Sequence, residues 1–268
     1  MIRLQNNGVT VLAAEGFRAA GGVAHGFSTR LGGVSEGIFS SLNLGFNRGD
    51  NPDHVRENYR RFCAAIGADV NRIVMTGQVH KTEIRTATPD LIKPDVCVPT
   101  EYDCDGLITD QSGLVLTIFT ADCIPVLLYD PVKRVIAAVH AGWRGTAQDI
   151  AGKAVDKMRQ DYGCQPENIL TAIGPGISQC CFETHSDVPD AMSAVLGDLV
   201  SPHISPLSNG KFRVNLKDIN AALLMRAGVT SDHIEISADC TACLHETYWS
   251  HRVTQGRRGS QAAMIQLL

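Results

Sequence analysis

Cys123 and His140 bracket a short β-forming stretch and are the two residues whose types and spacing most directly suggest chemistry. Cys123 leads into Ile124-Pro-Val-Leu-Leu-Tyr-Asp130, a Pro131-Val-Lys turn follows, and Arg134-Val-Ile-Ala-Ala-Val-His140 leads back. The pattern predicts strands at Pro125 to Tyr129 and Arg134 to His140. If Pro131 and Val132 form the centre of a two-residue turn, opposed residues have numbers summing to 263, which pairs Cys123 with His140. Directly opposed residues share a sheet face, with Cβ atoms about 4.5–5.5 Å apart. A thiolate and an imidazole so placed can share a metal ion or act as nucleophile and base. A buried cysteine packed beside a satisfied core histidine is the structural alternative.

After His140 the chain runs Ala141-Gly-Trp-Arg144-Gly145-Thr146, a glycine turn from a buried strand into a helix. Free N–H groups at a helix start attract anions, and Arg144 adds a guanidinium suited to phosphate or carboxylate. It is no Walker loop, because Gly-x-x-x-x-Gly-Lys-Ser/Thr is absent. Elsewhere, Gly174-Pro-Gly176 lacks the third glycine of a dinucleotide fingerprint and reads as a rigid loop. Cys240-Thr-Ala-Cys243 stands without a second pair at zinc-ligand spacing and reads as structural thiols. Cys180 and Cys181 are adjacent, and adjacent residues on a strand point to opposite faces, so one of the two is expected to be incidental.

The elements that must position these residues follow from periodicity and punctuation. Helices are expected from Asn51 to Gly67, from Gly145 to Gly163, from Ser186 to Val200 and from Asn215 to Gly228, the first with Pro52 in its first turn. Further β-rich runs are Ile73 to Ile84, Gly106 to Thr120, Ile169 to Ile173 and Ala262 to Leu268. Several strands are joined by loops too short for a helical crossover, which predicts mixed or partly antiparallel sheets. No linker or repeat divides the chain, so residues 1–268 are expected to form one α+β domain. The net charge of −4 argues against nucleic acid as a partner. No apolar run approaches the roughly 20 residues of a membrane helix, and Met1 to Phe17 does not read as a secretory signal. A cytoplasmic protein is expected, in which the nine cysteines serve as core residues, ligands or nucleophiles rather than disulfides.

Several blocks, in order, resemble the YfiH-like family: His25-Gly-Phe-Ser-Thr-Arg30, Ser41-Leu-Asn43-Leu-Gly, Gln78-Val-His80, Asp105-Gly, Thr120-Ala-Asp122-Cys123-Ile-Pro, His140-Ala-Gly-Trp-Arg144-Gly and Ile173-Gly-Pro. That family has been labelled multicopper polyphenol oxidase or laccase-like and is associated with purine nucleoside phosphorylase activity. The resemblance implies mixed sheets between helices in α/β/β/α layers, akin to the cysteine-hydrolase-like fold of the cytotoxic necrotising factor catalytic domain. It implies zinc held by His80, Cys123 and His140, three ligands that leave a fourth position open as in catalytic sites. It further implies Arg30, Asn43, Gln78 and Arg144 as substrate or phosphate contacts. Near the C-terminus the family usually reads Ser-Tyr-Arg, a spacer and Gly-Arg. This chain instead has Ser250-His251-Arg252 and Gly259-Ser260, so that either Arg257 or Arg258 replaces the missing arginine or the substrate preference differs.

The activity implied is phosphorolysis of adenosine, inosine or 5′-methylthioadenosine by a monomer, with Asp105 or Asp122 as the acid that protonates the departing base. Adenosine deamination is a second implied activity, although the His-x-Glu and Pro-Cys-x-x-Cys signature of base deaminases is absent. A rival reading makes Cys123 the nucleophile and His140 the base of a hydrolase acting on peptidoglycan precursors. A third is a non-catalytic zinc-binding protein. Copper could fill the site, but a multicopper centre is not expected, because the chain has nine histidines and no His-x-His pair.

Overall fold

A computed structural model describes residues 1–268. The helix Pro52–Ile66 forms where the sequence places its signals. The Asn51 side chain accepts the Asp53 N–H at 2.9 Å, and Gly67 ends the helix at φ 74°. Its Val55, Tyr59, Phe62 and Cys63 line one face and are fully buried.

Two six-stranded mixed sheets form the body of the domain. The first has the order Ile2–Asn6, Val9–Ala13, Val23–Ser28, Gln261–Leu267, Val115–Thr120, Ile73–Met75. The second has the order Ile234–Ile236, Leu170–Ile173, Ile124–Asp130, Val135–Ala141, Gly106–Thr109, Ile84–Thr86. Alternation along the strands assigns their faces. Leu127, Ile136 and Ala138 of the second sheet meet Phe27, Leu116 and Ile118 of the first in a core between the sheets. Val126, Leu128 and Val139 turn outward onto Val155 and Met158 of helix Ile150–Tyr162 and Leu223 of helix Leu216–Arg226. Helix Pro52–Ile66 packs its buried face on Ile73, Val115 and Met264 of the first sheet. The result is a mixed α+β domain layered helix, sheet, sheet, helix. Cys123 and His140 have the parity of the inter-sheet face, so the site lies at one end of the gap between the sheets.

Several sequence expectations need correction. The hairpin turn contains four residues, 131–134, and the strands pair as Asp130 with Val135 and Pro125 with His140, so the register sum is 265. Asp130 Oδ1 caps the turn by accepting the Val132 and Lys133 N–H groups, which favours the longer loop. The slip moves Cys123 opposite Gly142 and makes His140 its diagonal neighbour; because the sum changes by an even number, both side chains keep one face. The run from Gly106 to Thr120 is two strands, Gly106–Thr109 and Val115–Thr120, which lie in different sheets. The run from Ile73 to Ile84 is interrupted after Met75 by the loop that carries His80. The helix expected after Gly145 is split into Trp143–Ala147 and Ile150–Tyr162, because Asp149 adopts φ 60° and caps the second piece through the Gly152 N–H. The third helix stops at Leu196 and continues as a 3-10 segment, Gly197–His203. The hairpin Ile2–Asn6 with Val9–Ala13 was not anticipated, although Asn7-Gly8, at φ 51° and 80°, is a strong signal for such a turn.

Candidate metal centre and its cleft

The donor atoms of His80, Cys123 and His140 all lie within 4.8 Å of one another. Cys123 precedes strand Ile124–Asp130, His140 ends the neighbouring strand, and His80 comes from the loop beyond Met75. The two imidazoles stand edge to face, with centroids 4.9 Å apart and an interplanar angle of 88°.

One carboxylate organises this set. Asp105 is fully buried, and its Oδ1 lies 2.8 Å from His140 Nδ1. An ionised carboxylate only accepts, so that ring nitrogen carries the proton and Nε2 is left as the donor atom toward Cys123. The same carboxylate accepts the backbone N–H groups of Val79 (3.1 Å), His80 (3.0 Å) and Lys81 (2.8 Å). These three bonds hold the loop on which His80 takes φ 61°, a conformation costly for a side-chain-bearing residue unless its surroundings enforce it. Burial alone would lift the Asp105 pKa, but the His140 hydrogen bond and the loop N–H groups hold it below the usual carboxylate value.

Burial likewise disfavours charge on Cys123 and His140, yet their opposite charges prevail. The imidazoles lower the Cys123 thiol, while the thiolate and Asp105 raise His140. The space between the three donors depends on Gly142. A Cβ there would lie 3.0 Å from His80 Cδ2, 3.4 Å from Cys123 Sγ and 3.5 Å from His140 Cε1. Gly142 has φ −65°, so space rather than backbone freedom calls for glycine.

Beside the ligand set opens a cleft of about 390 Å³, lined among others by Arg48, Gln78, Asp103, Thr120 and Arg258. Arg258 is 9% exposed; its Nη1 donates to Gly259 O (2.8 Å) and Ser260 Oγ (3.1 Å), whereas Nε is buried without a partner. Burial, then the neighbouring Arg48, lower its pKa to about 10. Both features describe a guanidinium short of an anion.

Of the remaining candidates from the sequence, only Gln78 lines the cleft. Arg144 is exposed, stacks its guanidinium 4.2 Å from the Trp143 ring and does not line the cleft; the helix it starts has five residues. Arg30 also lies outside the lining, donating to Ser40 O and His245 O and resting 4.1 Å over Trp249. Asn43 joins two segments, Oδ1 accepting the Gly45 and Ser260 N–H groups. Gln78 lines the cleft, but its amide is held by Phe119, whose N–H it accepts at 2.7 Å and whose carbonyl it donates to at 2.8 Å. Asp122, at φ 86°, accepts from Thr241 Oγ1, Ser250 Oγ and Arg252 N and does not line the cleft. With Asp105 saturated as well, neither proposed acid presents a free carboxyl to the cleft, whose one carboxylate is Asp103. Arg48 and Asp103 carried no motif signal, and Arg257 is exposed where Arg258 is buried.

Fold and site together define a mixed α+β protein with a cysteine–histidine group that could hold a metal ion at the end of a two-sheet sandwich. Residues 24–268 match the family described as multi-copper polyphenol oxidoreductase laccase, and the chain belongs to this family, which includes the YfiH proteins. It is 36% identical over 260 residues to purine nucleoside phosphorylase YlmD of Geobacillus stearothermophilus, a match that covers 92% of this chain and 90% of the relative. Over 232 residues it is 31% identical to adenosine deaminase RL5 of an unknown prokaryotic organism, covering 84% and 87% of the two chains. Among solved structures, it superposes on the hypothetical protein YfiH of Bacillus licheniformis with a TM-score of 0.92 and 32% identity, over 99% and 98% of the two chains. The corresponding values for YlmD of G. stearothermophilus are 0.88 and 32%, over 98% and 97%. No helix is long and apolar enough to cross a membrane.

Proposed function

We infer that the chain is a zinc-dependent purine nucleoside phosphorylase, acting on adenosine, inosine or 5′-methylthioadenosine, with adenosine deamination as a second activity. The observation that carries this reading is Arg258, a buried guanidinium with an unpartnered Nε in the same cleft as the ligand set. The names of the relatives supply the substrate class.

Two imidazoles and a thiolate are a donor set suited to zinc, and His140 has the outer carboxylate partner that zinc-ligating histidines use. His80, Cys123 and His140 would hold the zinc, which would supply Lewis-acid polarisation. Arg258, with Arg48 nearby, binds and orients phosphate for attack on the ribose anomeric carbon. As the phosphate oxygen–carbon bond forms, the glycosidic carbon–nitrogen bond breaks, its electron pair leaves with the purine, and a proton drawn from solvent and relayed by the cleft carboxylate Asp103 neutralises the departing base. Orientation and charge neutralisation are the protein's main contributions to such a transfer.

A second reading, a Cys/His hydrolase acting on peptidoglycan precursors, is favoured by one observation. Asp105 orients His140 toward Cys123 as in a thiol triad. Against it, a base needs one imidazole, and here a second faces the same sulfur. The working protein is taken to be a cytoplasmic monomer. Adenine and ribose 1-phosphate are to be followed by chromatography from adenosine, with and without phosphate, for wild type, Cys123→Ala and Arg258→Ala. Phosphate-dependent release that is lost in both variants is the expected result. Absence of release from the metal-replete wild type refutes the phosphorylase, and rapid alkylation of Cys123 in that same protein moves the assignment to the hydrolase.

A further inference from the structure

The four thiols outside the cleft converge. The sulfurs of Cys180, Cys181, Cys240 and Cys243 all lie within 4.8 Å of one another, and none is in a disulfide. Cys180 and Cys181 sit in a turn rather than on a strand, so strand alternation does not separate them. Cys243 Sγ is 3.5 Å from Cys180 Sγ and 3.4 Å from Cys181 Sγ, and the adjacent pair is separated by 3.8 Å. Four sulfurs around a tetrahedral zinc, with Zn–S of about 2.3 Å, stand about 3.8 Å from one another. Disulfide sulfurs would be about 2 Å apart.

We propose that Cys180, Cys181, Cys240 and Cys243 form a second, tetrathiolate zinc site that cross-links the turn after strand Leu170–Ile173 to the turn at residues 240–243. The surroundings suit a thiolate cluster. Cys240 Sγ accepts the Ser178 N–H at 3.3 Å. Beside it, the buried Lys217 ammonium donates to Ser178 Oγ, Ser237 O and Asp239 O, placing a positive charge against a site whose four thiolates and one divalent cation sum to −2. Four protein ligands close the coordination sphere, so the role is structural. The cross-link also holds neighbours of the first site: Thr241 donates to Asp122, and Arg252, whose N–H donates to Asp122, places its guanidinium on Cys181 O at 3.0 Å. Asp122 immediately precedes Cys123.

The test is metal content by elemental analysis of full-length protein purified with a thiol reductant and without chelator. Wild type is expected to carry one equivalent of zinc more than Cys240→Ser/Cys243→Ser, whatever the occupancy at Cys123, and His80→Ala is expected to retain that equivalent. Equal zinc in wild type and the double variant overturns the site, as does a disulfide among these cysteines found by mass spectrometry of the reduced preparation. Cobalt titration of demetallated wild type tests the site even if the double variant fails to fold. A bound equivalent with the intense sulfur-to-cobalt charge transfer and tetrahedral d–d bands of an all-sulfur site is expected. Cobalt spectra accounted for wholly by one Cys/His₂ site, with no all-sulfur component, overturn it.

Discussion

Replacing Asp105 by asparagine keeps the shape of the side chain and halves what it can accept. Oδ1 serves His80 N–H and His140 Nδ1, while Oδ2 serves the N–H groups of Val79 and Lys81. Whichever way the amide turns, its NH₂ faces two donors. With NH₂ toward His140, the ring must take the other tautomer, and Nε2 then carries a proton and cannot ligate. With NH₂ toward Val79 and Lys81, the loop that holds His80 at φ 61° loses two of its three anchors. Two hydrogen bonds to a charged acceptor at about 1.5–3 kcal/mol each bound the stability loss at about 3–6 kcal/mol, and loop relaxation favours the lower end. Loss of an outer-sphere partner weakens metal binding by about 10–100-fold. Chelator-competition titration of metal-free Asp105→Asn measures the affinity, and denaturant melts with and without metal measure stability. Zinc affinity within twofold of wild type, in a variant that melts like wild type, would refute the role assigned to Asp105.

Gly142→Ala places a methyl 3.0 Å from His80 Cδ2 and should weaken zinc binding by about tenfold or more with little change in the far-UV circular dichroism of the metal-free protein. Arg258→Ala should lower kcat/KM for phosphate by about 10–100-fold, the scale of a charge-assisted hydrogen bond, while Arg144→Ala stays near wild type; steady-state phosphorolysis with varied phosphate separates the two. His25, 6% exposed and accepting the Ala14 N–H at 2.9 Å, is held by burial down to about 4. The unfolded chain, with an ordinary value near 6.5, therefore binds more protons between pH 6.5 and 4, and stability falls as pH falls, by about 2 kcal/mol at pH 5. Urea melts at pH 7 and pH 5 should show His25→Gln losing about that much less than wild type.

Local features of this chain were legible wherever a residue's neighbours in sequence decide its conformation. Asn51, Pro52 and Gly67 bound a helix because capping and φ preferences act within a turn. Cys123 and His140 share a face because strand parity survives an even slip in register. The motif blocks also singled out His80, Cys123 and His140, the three residues whose donor atoms converge. Convergence across long sequence separations belongs to the tertiary structure alone. Gly142, rather than His140, stands opposite Cys123 because Asp130 captures a four-residue turn, and the missing Cβ leaves room among the donors. Asp105 is a positioning residue because the site supplies it with four donors, a fact its place beside Gly106 does not encode. Arg258 reaches the cleft only because strand Gln261–Leu267 runs through the middle of the first sheet and carries the preceding residues to its end, while Arg144 and Arg30 find an indole and backbone carbonyls instead. The four sulfurs meet because two turns are packed together, and no periodicity within either turn records the partner that packing brings to it.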